Sequence, residues 1–217
     1  MRNKLKEIFM TFYMLIVSLL CAILLVFNCT YIYKLCIEIF NLESKSNISK
    51  NLLMGDYKKI ISYVTNPFIK KLEFDNFNMS AQGEFHFFEV KNIVFVVEII
   101  FIFLLILGII LFLLKRKRRF KFPIRSLNYF FYFTIIIIGI LLILIYFDFS
   151  YVFDKFHEML FNNDYWVFNP NTDPIIKVLP EEFFMFCGVI ILSITLIVSI
   201  ISKIIYLNLK RLMKNNK

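Results

Sequence analysis

Four long apolar blocks dominate the pattern of the chain, roughly residues 9–28, 92–114, 128–147 and 183–206. Each approaches the ~20 residues that a helix needs to cross ~30 Å of hydrocarbon. Ser18, Thr134, Ser193, Thr195 and Ser199 are polar interruptions that such helices tolerate, and Glu98 is the only ionisable residue well inside a block. The pattern predicts an all-α integral membrane protein: a single domain, 1–217, with four transmembrane helices. Between the blocks lie a short loop, 115–125, and two longer segments, 30–91 and 148–182.

The longer segments have patterns of their own. Residues 41–51 read as a polar loop. Tyr57, Ile60, Ile61 and Val64 then recur at helical spacing, which predicts an amphipathic helix lying on the membrane surface. Asn66-Pro67 ends it, and Gly83 reads as a break before residues 84–91 lead into the second span. In the second segment Phe153, Phe156, His157, Leu160 and Phe161 share one helical face, so His157 is on the apolar side. Residues 169–174 have turn chemistry. Pro180 suits the first turn of the fourth span, and Glu181 and Glu182 suit its positive N-terminal end. The expected architecture is therefore two segments with interfacial helices and a turn-rich loop on one side of a four-helix domain.

Composition excludes a soluble domain: 59% of residues are hydrophobic and the mean hydropathy is +0.72. Charge then orients the spans. Residues 1–8 carry Arg2, Lys4 and Lys6 against Glu7, and the 115–125 loop carries seven basic residues and no acid. The tail from Lys203 has five basic residues and no acid, whereas segment 148–182 has two basic and seven acidic residues. The positive-inside rule puts both termini and the basic loop in the cytoplasm and the two longer segments outside. A run joining two spans reads as a topology and anionic-lipid signal, not as a nucleic-acid patch. No small-x-small cleavage site follows the first block, which reads as a retained transmembrane helix in the plasma membrane. The four cysteines form no Cys-x-x-Cys and read as small buried thiols. Gly108, Gly139 and Gly188, one in each of three spans, read as helix-packing contacts.

Candidate chemistry centres on the two histidines of the chain, His86 and His157. Each falls at the outer mouth of a span, so both are expected at one membrane depth. Histidine suits acid/base work near neutral pH, although each alone also fits a polar residue at a membrane interface. Tyr165, Trp166 and the phenylalanines fit an interfacial aromatic belt, but a belt does not explain Asp164 and Asp173 among them. Glu98 is a candidate because intramembrane carboxylates are commonly functional. There is no Gly-x-Ser-x-Gly elbow and no His-Glu-x-x-His. Three other readings stand beside an acid/base enzyme. One is a non-enzymatic four-span lipid-binding or accessory subunit. Another is a metal-dependent membrane hydrolase using His86, His157 and Asp164. The third is a transporter, for which no internal repeat speaks.

The 156–184 stretch carries His157, Asp164, Trp166, Phe168, Pro170, Asp173, Ile175, Ile176, Leu179, Pro180, Glu181, Phe183 and Phe184. This series resembles the lipoprotein intramolecular transacylase family of Gram-positive bacteria, small four-span membrane enzymes. The family's earlier block, a histidine followed by Asp-Val-Lys, is matched by His86 with Glu89-Val90-Lys91. Asn169 and Glu89 stand where the family pattern has aspartate; the second keeps the charge and the first loses it. The resemblance implies an acyltransferase whose substrates are diacylglyceryl lipoproteins in membrane lipid. The sn-2 acyl chain moves from its glycerol ester to the α-amino group of the N-terminal cysteine, giving a lyso-form lipoprotein. No cofactor, metal or nucleic acid is expected.

That reaction needs a base for an α-amino group of pKa ~7.7–8.0 and a donor for the oxyanion. Nucleophile and ester belong to one molecule, so no acyl-enzyme is required, and holding them together supplies proximity. An acyl-imidazole route is also compatible. His157 is expected to be the general base, its acid-rich surroundings raising its basicity, with His86 as partner; the reverse assignment fits the sequence as well. Substrate contacts are expected from Asp164, Trp166, Asp173, Glu89, Lys91 and Glu98.

Overall fold

The computed structural model describes residues 2–215. Lys217, one of the basic residues of the tail, lies outside them. Among the described residues the fold is all-helical, and four helices are long and apolar enough to cross a membrane. These are α1 (Arg2–Asn28), α5 (Ala81–Arg116), α6 (Arg125–Phe147) and α8 (Glu181–Asn215), which carry the four predicted blocks. Four shorter helices, α2 (Thr30–Ile39), α3 (Leu42–Ser46), α4 (Lys50–Thr65) and α7 (Phe149–Leu160), and a 3-10 turn at Pro174–Lys177 fill the intervening segments. At 1.5 Å per residue the 36 residues of α5 extend about 54 Å, well beyond the hydrocarbon thickness. Its polar first turns, ahead of the apolar block, hold His86 and Glu89.

The chain divides into two compact units. One contains Ile99–Tyr146 with the described residues up to Ile23 and from Val189 onward. Its buried positions are mostly small or hydroxyl-bearing, among them Ala22, Ser126, Thr134, Thr195 and Ser199. Small residues let helix backbones approach where lipid supplies no hydrophobic drive for association. The Tyr13 hydroxyl donates to the Leu104 carbonyl at 2.9 Å, and its oxygen occupies the space a Cβ at Gly108 would need. The packing role expected of the span glycines is met there only: no atom lies within 4 Å of a Cβ at Gly139 or Gly188. Large apolar side chains face outward, with Phe103 and Phe112 each 63% exposed. Such a surface is stable in lipid and not in water.

The second unit contains Leu24–Glu98 and Phe147–Gly188. Its core is a cluster of three rings. Tyr33 of α2 stacks on Tyr57 of α4 with centroids 4.0 Å apart, and Phe183 meets both edge-on at 5.5 and 5.9 Å. The Tyr33 hydroxyl donates to the Val178 carbonyl at 3.1 Å, so the ring gains a polar partner without leaving the core. The predicted amphipathic helix is α4, and Asn66 caps its end. Tyr57, Ile60 and Val64 are buried while Ile61 is half-buried. The stripe packs against α2, so its apolar face is used within the protein.

Two local expectations are corrected. The 41–51 loop contains α3, flanked by Asn41 and Asn47 in the left-handed region at φ 51° and 57°. Asparagine adopts that conformation at little cost, and Leu42, fully buried, anchors the turn between them. Gly83 does not break the chain, for it lies in the first turn of α5.

Asp56 fastens the stretch between α4 and α5. One carboxylate oxygen accepts from the Asp75 backbone N–H and the other from Asn76 Nδ2, each at 2.8 Å. Asp56 is 1% exposed, and hydrogen bonds to a charged group contribute about 1.5–3 kcal/mol. Asp56→Ala should therefore lower the Tm of the detergent-solubilised protein clearly. Asp56→Asn, which keeps an accepting oxygen, should lower it less.

Candidate active site

The site grows from the start of α5. Ser80 caps the helix, its hydroxyl accepting from the Gly83 N–H at 3.0 Å, the usual use of serine at an N-cap. The Ser80 N–H donates to Asp173 Oδ1 at 2.7 Å. That same oxygen lies where a Cβ on Gly83 would be. Glycine is therefore required here by close approach of a carboxylate, not by backbone conformation. Three residues on, almost one full turn, stands His86, buried.

Helix α7 brings the second histidine. Asp148 caps it, accepting from the Tyr151 N–H at 2.9 Å. His157 Nδ1 lies 2.7 Å from the Phe153 carbonyl. A carbonyl only accepts, so Nδ1 carries the proton and the neutral ring leaves its lone pair on Nε2. The imidazole stacks on Trp166 with centroids 4.7 Å apart at 26°. The two histidine rings are 6.2 Å apart, and Phe161 lies 4.8 Å from His86 and 5.8 Å from His157. Phe168 meets His86 edge-on at 5.5 Å, and Phe153 and Phe156 flank His157. Two imidazoles thus share an aromatic box.

Burial in this box holds the His157 proton affinity below the ordinary imidazole range. The Phe153 carbonyl, Asp154 and Glu181 act in the opposite direction and are outweighed. The expected rise in basicity is corrected for that reason: desolvation of the imidazolium exceeds the pull of the acids. His86 Nδ1, Trp166 Nε1 and Glu89 Oε2 are buried without a hydrogen-bond partner among the described residues.

A family model described as lipoprotein intramolecular transacylase Lit matches residues 8–184. The chain belongs to the lipoprotein intramolecular transacylase (Lit) family. It is a multi-pass membrane protein and an acyltransferase of lipoproteins. The solved structure of the membrane integral Lit from Bacillus cereus is 28% identical, covers 98% of each chain and superposes with a TM-score of 0.88. Two further structures of that Lit carry a histidine replaced by arginine or by alanine. They match at 28% identity, with TM-scores of 0.82 and 0.79. The first covers 100% of this chain and 95% of its own, and the second 98% and 96%. No curated protein sequence matches.

Within this Lit fold the sequence candidates separate. His86, His157 and Trp166 meet in the box. Glu89 joins its edge, since Glu89 Oε1 accepts from Asn163 Nδ2 at 2.8 Å, on the loop that leads to Trp166. Asp173 is buried and takes Ser80 N–H and Thr172 Oγ1, each at 2.7 Å. Asp164 is exposed, and its carbonyl closes a turn by accepting from the Val167 N–H at 3.1 Å. Asn169 makes the side-chain turn bond expected of an aspartate there, its Oδ1 accepting from Asn171 N–H at 3.0 Å. Lys91 lies about 140° around α5 from His86. It donates to the Ile69 carbonyl and covers the Tyr63 ring. With Glu98, Phe88 and Phe95 it lines a separate cavity of about 340 Å³.

Sequence reasoning missed Phe161, Phe168 and Asn163. Phe168 stands in the motif series and Phe161 on the apolar face of α7, but only the fold sets these rings against the imidazoles and Asn163 against Glu89. Among the described residues no three His, Cys, Asp or Glu side chains are grouped to hold a metal ion.

Gly83→Ala should lower both Tm and lipoprotein-converting activity, because its Cβ must displace Asp173. Gly55, mid-helix in α4 with nothing within 4 Å of an added Cβ, is the control. Gly55→Ala should raise stability by about 1 kcal/mol and leave activity unchanged.

Proposed function

We propose that this Lit enzyme moves the sn-2 acyl chain of a diacylglyceryl-cysteine lipoprotein to the cysteine α-amino group. His157 is the general base and His86 its partner. The observation that carries this reading is the His157 Nδ1–Phe153 carbonyl contact at 2.7 Å. It dedicates Nε2 to proton transfer, within a box where His86 is the neighbouring imidazole. As the amine attacks the ester carbonyl, His157 Nε2 takes the amine proton. When the tetrahedral intermediate collapses, it returns that proton to the leaving glycerol oxygen. His86 donates to the developing charge or orients its neighbour.

The remaining candidates contribute around this centre. Trp166 and Glu89 contact the reacting end of the substrate. Lys91 and Glu98 contact its lipid portion along their cavity. Asp173 holds the loop, and Asp164 meets the substrate at the exposed turn. The chain works as one four-span domain with both termini cytoplasmic and the site at the extracellular face of the plasma membrane. The basic 115–125 loop and the acidic 148–182 segment support that orientation. Substrate acyl chains reach the site from membrane lipid.

Expression in a host that makes diacylglyceryl lipoproteins, followed by mass spectrometry of N-terminal lipopeptides, tests the reaction. The wild-type chain should yield N-acyl, lyso-form peptides, and His157→Ala and His86→Ala should each reduce them at least a hundredfold. Full conversion by either variant removes that histidine from the mechanism.

The pH profile supplies a second check. Burial lowers the His157 proton affinity, so the neutral, base-competent ring persists below the free-imidazole pKa of ~6.5. The acid limb of kcat that His157→Ala abolishes, as distinct from the limb of the substrate amine at ~7.7–8.0, should therefore fall with a midpoint below that value. A midpoint above it would place the titrating group elsewhere.

A further inference from the structure

We infer that the Trp166 indole N–H is a hydrogen-bond donor to the acyl oxyanion, leaving His86 to orient its neighbour or add a second donor, and that Glu89 Oε2 receives the substrate α-amino group. This rests on the acyl-transfer reading above and gives the two contacts proposed there their chemical roles. Four buried side-chain polar atoms lack a hydrogen-bond partner among the described residues: His86 Nδ1, Glu89 Oε2, Thr134 Oγ1 and Trp166 Nε1. Three of the four belong to the histidine box and its edge. Leaving a buried polar group unpaired is destabilising, so their concentration at one place marks groups kept for a ligand.

Polarity fixes which group serves which end of the substrate. An indole N–H only donates, and a carboxylate oxygen accepts. The reacting centre presents one group of each need. The carbonyl oxygen gains charge and requires a donor, whereas the amine nitrogen carries N–H bonds and requires an acceptor. Position agrees with this sorting. Trp166 lies flat on the imidazole whose Nε2 takes the proton, 4.7 Å between centroids. Glu89 follows His86 by three residues on α5, and Asn163 occupies its Oε1 at 2.8 Å, leaving Oε2. The stack on His157 sets the indole plane, and the Asn163 bond sets the carboxylate.

The step balances with no further reactant. The amine lone pair forms the N–C bond while the carbonyl π pair moves to oxygen, where the Trp166 N–H meets it. The amine proton passes to His157 Nε2. Re-formation of the carbonyl then breaks the C–O ester bond, and the glycerol oxygen takes that proton.

The full-length protein, reconstituted in nanodiscs with a synthetic diacylglyceryl-cysteinyl lipopeptide, provides the test. Trp166→Phe keeps an aromatic ring against His157 and removes the N–H. It should lower kcat about 10²–10³-fold, with KM within twofold and Tm unchanged. Glu89→Gln keeps an oxygen for Asn163 but turns an N–H towards the amine, and should raise KM at least tenfold. A Trp166→Phe enzyme with wild-type kcat overturns the donor role. So does a loss of activity matched by a fall in Tm as large as that of Trp166→Ala, which makes the ring a packing element. An unchanged KM in Glu89→Gln overturns the amine contact. His157→Ala separates this inference from the reading beneath it. Loss of turnover there with Trp166→Phe unaffected overturns the indole role alone. Full turnover in His157→Ala overturns the histidine mechanism instead.

Discussion

A single buried carboxylate holds the candidate active site together. Asp173 is 3% exposed, and taking a carboxylate out of water costs several kcal/mol unless its oxygens are hydrogen-bonded. The Ser80 N–H and the Thr172 hydroxyl, each at 2.7 Å, supply those bonds. Gly83 makes the arrangement possible, since any Cβ would occupy the place of Asp173 Oδ1. The loop that bears Trp166 and Phe168 is thereby fixed to the first turn of α5. His86 follows Gly83 by three residues, so the bond that secures the loop also sets His86 against Phe168 and Phe161. Two segments remote in sequence become one wall of one box.

The box then decides the proton chemistry. Aromatic walls disfavour an imidazolium, and at His157 this outweighs Asp154, Glu181 and the Phe153 carbonyl. On the proposed assignment, moving a proton from a free α-ammonium of pKa ~7.7–8.0 to an imidazole below ~6.5 is uphill by more than one unit. One unit is about 1.4 kcal/mol, a small part of the 8–23 kcal/mol by which enzymes lower barriers. Only the neutral amine, which has already released that proton, carries the lone pair that attacks; once its N–C bond forms, the attached nitrogen is positively charged and far more acidic, and passes a proton to His157 favourably. A base that remains neutral until that moment suits general-base catalysis better than one already protonated at neutral pH.

How much of this was legible in the sequence follows from range. Hydrocarbon thickness acts on each helix separately, so the four spans could be read from run length alone. The stripe of α4 and the apolar side of His157 are also local, set by helical spacing. What lies opposite a face is not local. Asp164 and Asp173 look equivalent in the chain, yet the fold leaves one exposed and makes the other the loop's anchor. Gly83 looks like a break because the carboxylate that requires it comes from ninety residues on. Asn169 looks like a lost charge, yet its amide oxygen makes the turn bond that an aspartate oxygen would make. The acidic surroundings of His157 were visible, but the desolvation that opposes them depends on Trp166 and the phenylalanines closing over the ring.

The first turns of α5 are fastened on two faces, and this is what gives the candidate site its register. On one side Gly83 receives Asp173. About 80° further round, if each residue turns 100°, Lys91 donates to the Ile69 carbonyl and covers Tyr63 of α4. A rotation of α5 large enough to carry His86 out of the box would break both attachments together. It would also part Glu89 from Asn163, a third tie on the helix between the other two. A long transmembrane helix in lipid has few directional contacts to fix its rotation, because its apolar surface looks alike from every side. Polar ties at its aqueous end supply that direction. They are placed within three turns of one another, on either side of His86, so the residue least able to tolerate rotation is the one most closely bracketed.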